Sequence, residues 1–320
     1  MTGSLDALAA EPERRVLLVT HSGRVEAKEA ARKVAHWLGA AGIGVRLLAG
    51  EVDGADVGAA GRIVPDDQDA VAGCELVVVL GGDDTLLRGA ELARSADVPL
   101  LGVNLGRVGF LAEAELEDLH EVVERIVERR YGVEERMTLD AAVLCDGEVV
   151  WRTWALNEAS VEKRCRERML EVLVEIDGRP LSRWGCDGVV CATPTGSTAY
   201  AFSGGGPVVW PEVEALLLVP ISAHALFARP LVAAPSSLLA IEVVDGRAGA
   251  EGTGVLWCDG RRTVDLPPGA RVEVRRGERP VRLARLRDAP FTDRLVAKFG
   301  LPVAGWRAVY QPAEENPPRR

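Results

Sequence analysis

Four stretches of this 320-residue chain gather residue types suited to phosphate and sugar chemistry. The first is Gly81-Gly82-Asp83-Asp84-Thr85, directly after an apolar run. Glycines let backbone come close to a ligand. Thr85 would open a helix whose first amides attract phosphate. A carboxylate on such a turn can accept a proton or bind Mg²⁺. The same residues also make a plain strand-to-helix turn with an aspartate cap. The second stretch is Asn104-Leu105-Gly106-Arg107-Val108-Gly109-Phe110-Leu111. The third is the amide–carboxylate pair Asn157-Glu158, able to clamp neighbouring hydroxyls or an adenine edge, and equally an ordinary polar pair at a sheet edge. The fourth runs from Asp187 through Thr193-Pro194-Thr195-Gly196-Ser197-Thr198-Ala199-Tyr200 to Ser203-Gly204-Gly205-Gly206-Pro207. It has no P-loop lysine. Its small hydroxyls and free amides suit sugars and phosphates, and also a crowded strand-to-helix crossing.

Elements must position these residues. Apolar runs at 16–20, 44–48, 76–80 and 100–103 predict strands, and the third is apolar throughout, as in a parallel sheet buried on both faces. Helical periodicity covers 26–41, 85–96 and 115–131, giving a βαβ rhythm and an open, mostly parallel α/β sheet. In such a sheet ligands bind at the carboxyl ends of the strands, where the first two stretches fall. Residues 50–70, rich in glycine and aspartate, read as a variable loop. Beyond residue 133, short β runs alternate with Asp-Gly dipeptides at 146, 177, 187, 245 and 259, a hairpin signature. Strands are expected at 139–149, 170–176, 189–192, 238–244, 255–257 and 272–274, with a helix starting near Ser197. The expected division is an α/β unit over 1–133, a β-rich unit over 134–285, a helix within 286–310 that packs back on the first unit, and a disordered tail over 311–320.

The formal net charge of −10 gives no reason to expect a nucleic-acid surface. Six cysteines without a CxxC pair, mostly in apolar runs, read as buried thiols rather than a disulfide or zinc framework. No signal-peptide pattern stands at the N-terminus, and the longest apolar run, near 215–221, is too short to span a bilayer. A cytoplasmic protein with no membrane partner is expected.

Taken in order, GGDDT, NLGRVGFL, LNEAS and CDGVVCATPTGSTAYAFSGGGP resemble the NAD kinase family, and the resemblance runs from about Val16 to Trp306, with an actinobacterial character. It implies an α/β domain and a β-rich domain with NAD between them, a divalent metal such as Mg²⁺, a homodimer or homotetramer, and phosphoryl transfer from ATP or polyphosphate to the 2′-hydroxyl of the adenosine ribose of NAD. It implies that Asp83 is the catalytic aspartate or a metal ligand, with Gly82 and Thr85 beside it. Phe110 would pack near adenine, and Asn157 and Glu158 would hold polar groups of NAD. Asp187 would contact ligand, which argues against a hairpin at 187–188. Thr198, Ala199 and Tyr200 would line the adenosine site, with Ser203 nearby.

The family carries glycine where this chain has Asp84. If that backbone has positive φ, aspartate tolerates it better than most residues. The charge is harder to absorb: a carboxylate about 5 Å from a phosphate costs roughly 3 kcal/mol at an effective dielectric near 20. Joining Asp83 as a metal ligand would reverse that sign. Three outcomes follow: a working NAD kinase with rearranged metal binding, a kinase for another nucleoside or nucleotide, or an NAD-binding chain that barely turns over. The basic stretch 163–168 could compensate the charge, or be a solvated loop.

Overall fold

The structure, a computed structural model, describes residues 12–21, 23–51, 61–106, 109–165, 167–244, 254–287 and 290–303. The expected tail, the Asp-Gly at 245, residues 107–108 and residue 166 of the basic stretch lie outside them.

The chain begins with β1 (Arg15–Thr20), α1 (Val25–Ala40), β2 (Gly44–Leu48), β3 (Gly61–Val64), β4 (Leu76–Leu80), α2 (Asp83–Ala93), β5 (Leu100–Asn104), β6 (Ala114–Glu115), α3 (Leu119–Val127) and β7 (Gly132–Arg136). Twelve strands follow: β8 (Leu139–Cys145), β9 (Glu148–Ala155), β10 (Glu158–Lys163), β11 (Leu170–Ile176), β12 (Arg179–Cys186), β13 (Gly188–Ala192), β14 (Leu216–Ile221), β15 (Leu231–Ala233), β16 (Leu239–Val243), β17 (Gly254–Cys258), β18 (Arg262–Leu266) and β19 (Arg271–Arg276). The short helix α4 (Tyr200–Ser203) stands between β13 and β14, and β20 (Val281–Arg285) and α5 (Phe291–Phe299) close the described chain.

One sheet has the order β3-β2-β1-β4-β5-β20-β7, with β6 beside β5. All its pairings are parallel except β20 with β7. β4 is buried at every residue because both faces are covered. Leu76, Val78 and Leu80 join α1 and α3 in one core, and Val77 and Val79 join α2 in another. Burying each such side chain stabilises by about 1.5–3 kcal/mol. The strand order reverses direction between β1 and β4, so a crevice is expected at their carboxyl ends.

The other strands form two six-stranded sheets, β15-β14-β13-β10-β17-β18 and β12-β11-β16-β19-β8-β9. Their inner faces share a core that includes Val161, Cys191, Leu218 and Leu256 from one sheet and Val143, Val172, Trp184 and Ile241 from the other. The outer face of β13 and β14, Val190, Ala192, Leu217 and Val219, packs on Ala201 of α4.

Several elements differ from their sequence-based expectation. Gly61–Val64 is an edge strand rather than loop. The predicted helix over 115–131 is shorter, because Leu116–Asp118 forms a 3-10 turn and β7 begins at Gly132. The single strand expected over 139–149 is the hairpin β8–β9, turned at Asp146 and Gly147 with φ of 51° and 81°. Asp177-Gly178 and Asp259-Gly260 also have positive φ and turn hairpins. Asp187-Gly188 does not: Gly188 opens β13. The β-rich unit expected over 134–285 ends earlier: β20 pairs with β5 and β7 in the first sheet, so the chain returns to the first lobe before residue 285.

Candidate functional site

α2 starts at Asp83 rather than Thr85, with Gly82 as its N-cap residue. Both aspartates lie in the first turn, where the helix dipole favours negative charge. Asp83 is half-buried and Asp84 exposed. Neither has positive φ, so Asp84 sits in ordinary helical backbone without strain. The glycines before it serve close approach, not a left-handed turn. A Cβ at Gly81 would meet the Thr85 hydroxyl oxygen at 2.5 Å, whereas Gly82 has no atom within 4 Å of that position and leaves the turn open.

The Asp83 carboxylate accepts the amides of Phe110 and Leu111, each at 3.4 Å, which ties the loop after β5 to the start of α2. Gly109 packs closely on this carboxylate: a Cβ there would lie 2.5 Å from Asp83 Oδ1, so the side chain or the loop would have to shift. The Phe110 ring is buried, and its neighbours are Phe291 and Phe299 of α5, at centroid distances of 6.0 and 5.8 Å. Phe299 also stacks on Phe202 of α4 at 4.9 Å. Helix α5 therefore connects the Asp83 loop to the 200s of the second lobe.

The second half of the site is built under Asn157 and Glu158, both buried. Asp259, in the β17–β18 turn, accepts the amides of Leu156 at 2.9 Å, Asn157 at 2.7 Å and Glu158 at 3.3 Å. The Asn157 carbonyl accepts the Thr193 amide at 2.9 Å. At Gly196 a Cβ would stand 2.0 Å from that same carbonyl oxygen, so only glycine allows this crossing. Glu158 Oε2 accepts the Tyr200 amide at 3.3 Å. Burial, then the Asp259 charge, pushes the Glu158 carboxyl up to about 8. Burial raises the Asp259 carboxyl too, but three amides and Arg262 oppose that rise, so Asp259 is the member of the pair that keeps the charge and Glu158 the one that keeps a proton.

These contacts bring together Asp83 with Phe110, and Asn157 and Glu158 with the Thr198-Ala199-Tyr200 segment. The helix expected at Ser197 is a 3-10 turn over Thr195–Thr198 leading into α4. Asp187 stands apart from Glu158: β10 pairs Glu158 with Ala192 and Glu162 with Gly188. Five residues of strand, from Ala192 back to Asp187, put Asp187 about 16 Å away. Its carboxylate is bound to Lys163 at 2.5 Å, which holds it below the usual carboxylate range. Ser203 is exposed at the end of α4. Arg164 pairs with Asp265 at 2.5 Å, so the described head of the basic stretch is engaged away from Asp84. Asp259 and Arg262 went unnoticed in the sequence, where Asp259-Gly260 gave only a hairpin signal.

Among the described residues no three His, Cys, Asp or Glu side chains converge as a metal cage. Asp83 and Asp84, in the first turn of α2 beside the open space at Gly82, are oxygen donors of the class Mg²⁺ takes, usually one or two carboxylates with the shell completed by water and substrate phosphates. All six cysteines are unpaired, and burial pushes Cys186, Cys191 and Cys258 up to about 12.

Fold and site define a two-lobed nucleotide-binding protein with one carboxylate at the switch of an α/β sheet and an amide–carboxylate pair on a β-rich lobe. Residues 64–131 match the ATP-NAD kinase N-terminal domain and residues 156–286 the ATP-NAD kinase C-terminal domain. An NAD kinase of Thermobifida fusca is 63% identical over 302 residues, 92% of this chain and 91% of that one. NAD kinase 2 of Streptomyces avermitilis is 62% identical, covering 92% and 97%. The chain belongs to the NAD kinase family. In fold it is similar to yeast NADH kinase complexed with NADH, with a TM-score of 0.82 and 24% identity over 92% of this chain and 89% of that one. An NAD kinase from Archaeoglobus fulgidus in complex with ATP gives a TM-score of 0.66 and 25% identity, covering 89% and 98%.

Proposed function

We infer that the chain transfers a phosphoryl group from ATP or polyphosphate to the 2′-hydroxyl of the adenosine ribose of NAD, giving NADP. The observation that carries this reading is Asp83: an acid at the first turn of α2, oriented by two backbone amides, beside the open space at Gly82. Asp83 accepts the proton of the ribose hydroxyl as that oxygen attacks the terminal phosphorus and the donor's bridging oxygen leaves. Gly82, Thr85 and the first amides of α2 bind the transferred phosphate. Glu158, protonated, donates a hydrogen bond to NAD, and Asn157 orients it from the same turn. Thr198, Ala199 and Tyr200 line the adenosine, with Phe110 closing the first-lobe side. Phosphoryl transfer demands mainly positioning and charge neutralisation, which this set supplies. Asp83 and Asp84 would hold Mg²⁺, which neutralises charge developing on the phosphates.

Asp187, farther along β13 from Glu158, makes a further ligand contact, with Ser203 of α4 near the adenosine, and the chain assembles as a homodimer or homotetramer. What supports assembly is the number of large apolar side chains the second lobe exposes, Met169, Leu226, Phe227 and Val232 among them. Light scattering of the purified chain reads this; a monomer at assay concentration overturns it. No described helix is long and apolar enough to cross a membrane.

The test of the reaction is an assay of NADP formed from NAD and Mg-ATP. Asp83→Asn should lose about 10²-fold or more of turnover, since it removes the base. Asp84→Gly should match or exceed the parent if the second carboxylate only repels phosphate. A loss of activity in Asp84→Gly instead makes Asp84 a metal ligand. Full activity in Asp83→Asn would refute the assignment of the base.

A further inference from the structure

A cavity of about 520 Å³ lies apart from the turn at Asp83. It opens between β7, β20 and α5 of the first lobe and Pro211-Glu212 of the second. Of the four arginines that line it, Arg136, Arg285 and Arg294 form one cluster. Two carboxylates serve all three. Glu134 takes Arg136 at 2.9 Å and Arg285 at 2.6 Å. Glu113, almost fully buried, takes Arg285 and Arg294 through one oxygen, Oε1, while its Oε2 accepts the Leu286 amide at 3.1 Å. At the rim, Arg287 is already paired with Glu121 at 2.6 Å, and Glu212 is exposed. Within the cluster three guanidinium groups share two ion-paired carboxylates, and the exposed Glu212 carboxylate faces Arg136 from the second lobe.

Arg136 shares its ion-pair partner Glu134 with Arg285. It is 5% exposed, and its Nε has no hydrogen-bond partner. A buried guanidinium short of acceptors is costly, and a planar oxyanion is the group that satisfies such a fork. Phe291 and Pro211 add an apolar wall, and the volume exceeds that of a bare ion, within the range of small-ligand pockets.

The cavity is wired to the catalytic loop. Arg294 donates to the Phe110 carbonyl at 3.1 Å and the Ala112 carbonyl at 3.0 Å, and Phe291 packs on Phe110. Phe110 and the adjoining Leu111 are the residues whose amides hold Asp83. We propose that this cavity binds a small molecule bearing a phosphate or carboxylate oxyanion on Arg136 and its neighbours, and that occupancy is transmitted through Arg294 and the 110–112 segment to Asp83. It is an effector site separate from the nucleotide crevice. An effector there changes NAD affinity by a factor that NAD returns in kind.

Calorimetry on the full chain with inorganic phosphate, and separately with succinate, tests the binding without turnover and tells phosphate from carboxylate recognition. The expected result is saturable binding of at least one of them, weakened about tenfold or more in Arg136→Met and retained in Asp83→Asn. Binding of neither, binding indifferent to Arg136→Met, or binding lost in Asp83→Asn overturns the site. Should Arg136→Met not fold, Glu212→Gln, which removes the opposing rim charge, is expected to tighten the anion a few-fold; unchanged affinity there also overturns it. Transmission is read as a shift in KM or kcat for NAD on adding the bound anion, absent in Arg136→Met; binding without any kinetic shift refutes the coupling. Because the calorimetric arm needs no NADP formation, its failure is distinct from failure of the kinase assignment.

Discussion

Glu158 lies 8% exposed between the Tyr200 amide and Asp259, and its carboxyl keeps its proton to about pH 8. An unfolded chain releases that proton near the ordinary value of 4.5. Across this window the folded protein binds the extra proton, so raising the pH favours the unfolded state. Stability from this group is fully present below about pH 4.5 and lost as pH rises through about pH 8. Glu158→Gln keeps a hydrogen-bond donor and cannot ionise. Urea denaturation across this window should therefore show a shallower loss of stability in the variant, and a more stable variant at the alkaline end. Parallel curves would mean that Glu158 is ionised when folded. The sequence showed an amide beside a carboxylate and their candidate role. It could not show the proton, because that depends on Asp259, about a hundred residues away and brought underneath only by the β10–β17 pairing.

Among the elements, the loop after β5 and helix α2 depend on each other. Gly109 and Asp83 come from different turns, yet no room remains between them for a methyl group. Gly109→Ala must push the Asp83 carboxylate off its amides or displace the loop. The expected outcome is a fall in kcat of about tenfold or more, with a melting temperature changed little, because the glycine serves orientation rather than core packing. A variant with full kcat would show that the carboxylate has latitude. Both turns were readable from sequence, since β4 and β5 are short apolar runs followed at once by glycine. β20 was not. Val-Arg-Leu-Ala-Arg alternates like a half-exposed strand, and nothing in it tells that its partner is β5, about 180 residues upstream. Likewise α5 was legible as a helix, but its bridging of Phe110 and Phe202 rests on tertiary contacts alone.

For the whole molecule the question is what holds the two half-sites at one spacing, and Arg262 spans the gap. It pairs with Asp259 at 2.8 Å, beneath the Asn157-Glu158 turn, and lies 3.2 Å from Glu91 on α2, the helix that begins with Asp83. Its guanidinium also covers one face of the Trp154 ring at 4.5 Å, and Arg94 covers the ring at the same distance. Arg261 adds a second contact to Glu91 at 3.1 Å. Removing Arg262 leaves the Asp259 charge buried on three amides without a cation, a change that typically costs about 3–5 kcal/mol. Glu91→Gln breaks only the part-exposed arm and should cost about 1 kcal/mol or less. Arg262→Met should therefore lower stability severely and raise KM for NAD, whereas Glu91→Gln should leave stability nearly unchanged and shift kcat/KM modestly. Combining Arg262→Met with Asp259→Asn should recover part of the lost stability, since the stranded charge is gone, but not the affinity for NAD, since the turn loses its anchor. Chemical denaturation and NAD titration of the four proteins separate these effects. If the double variant is no more stable than Arg262→Met alone, the cation works through Trp154 packing rather than through Asp259, and the lobes are joined by apolar contact instead of charge.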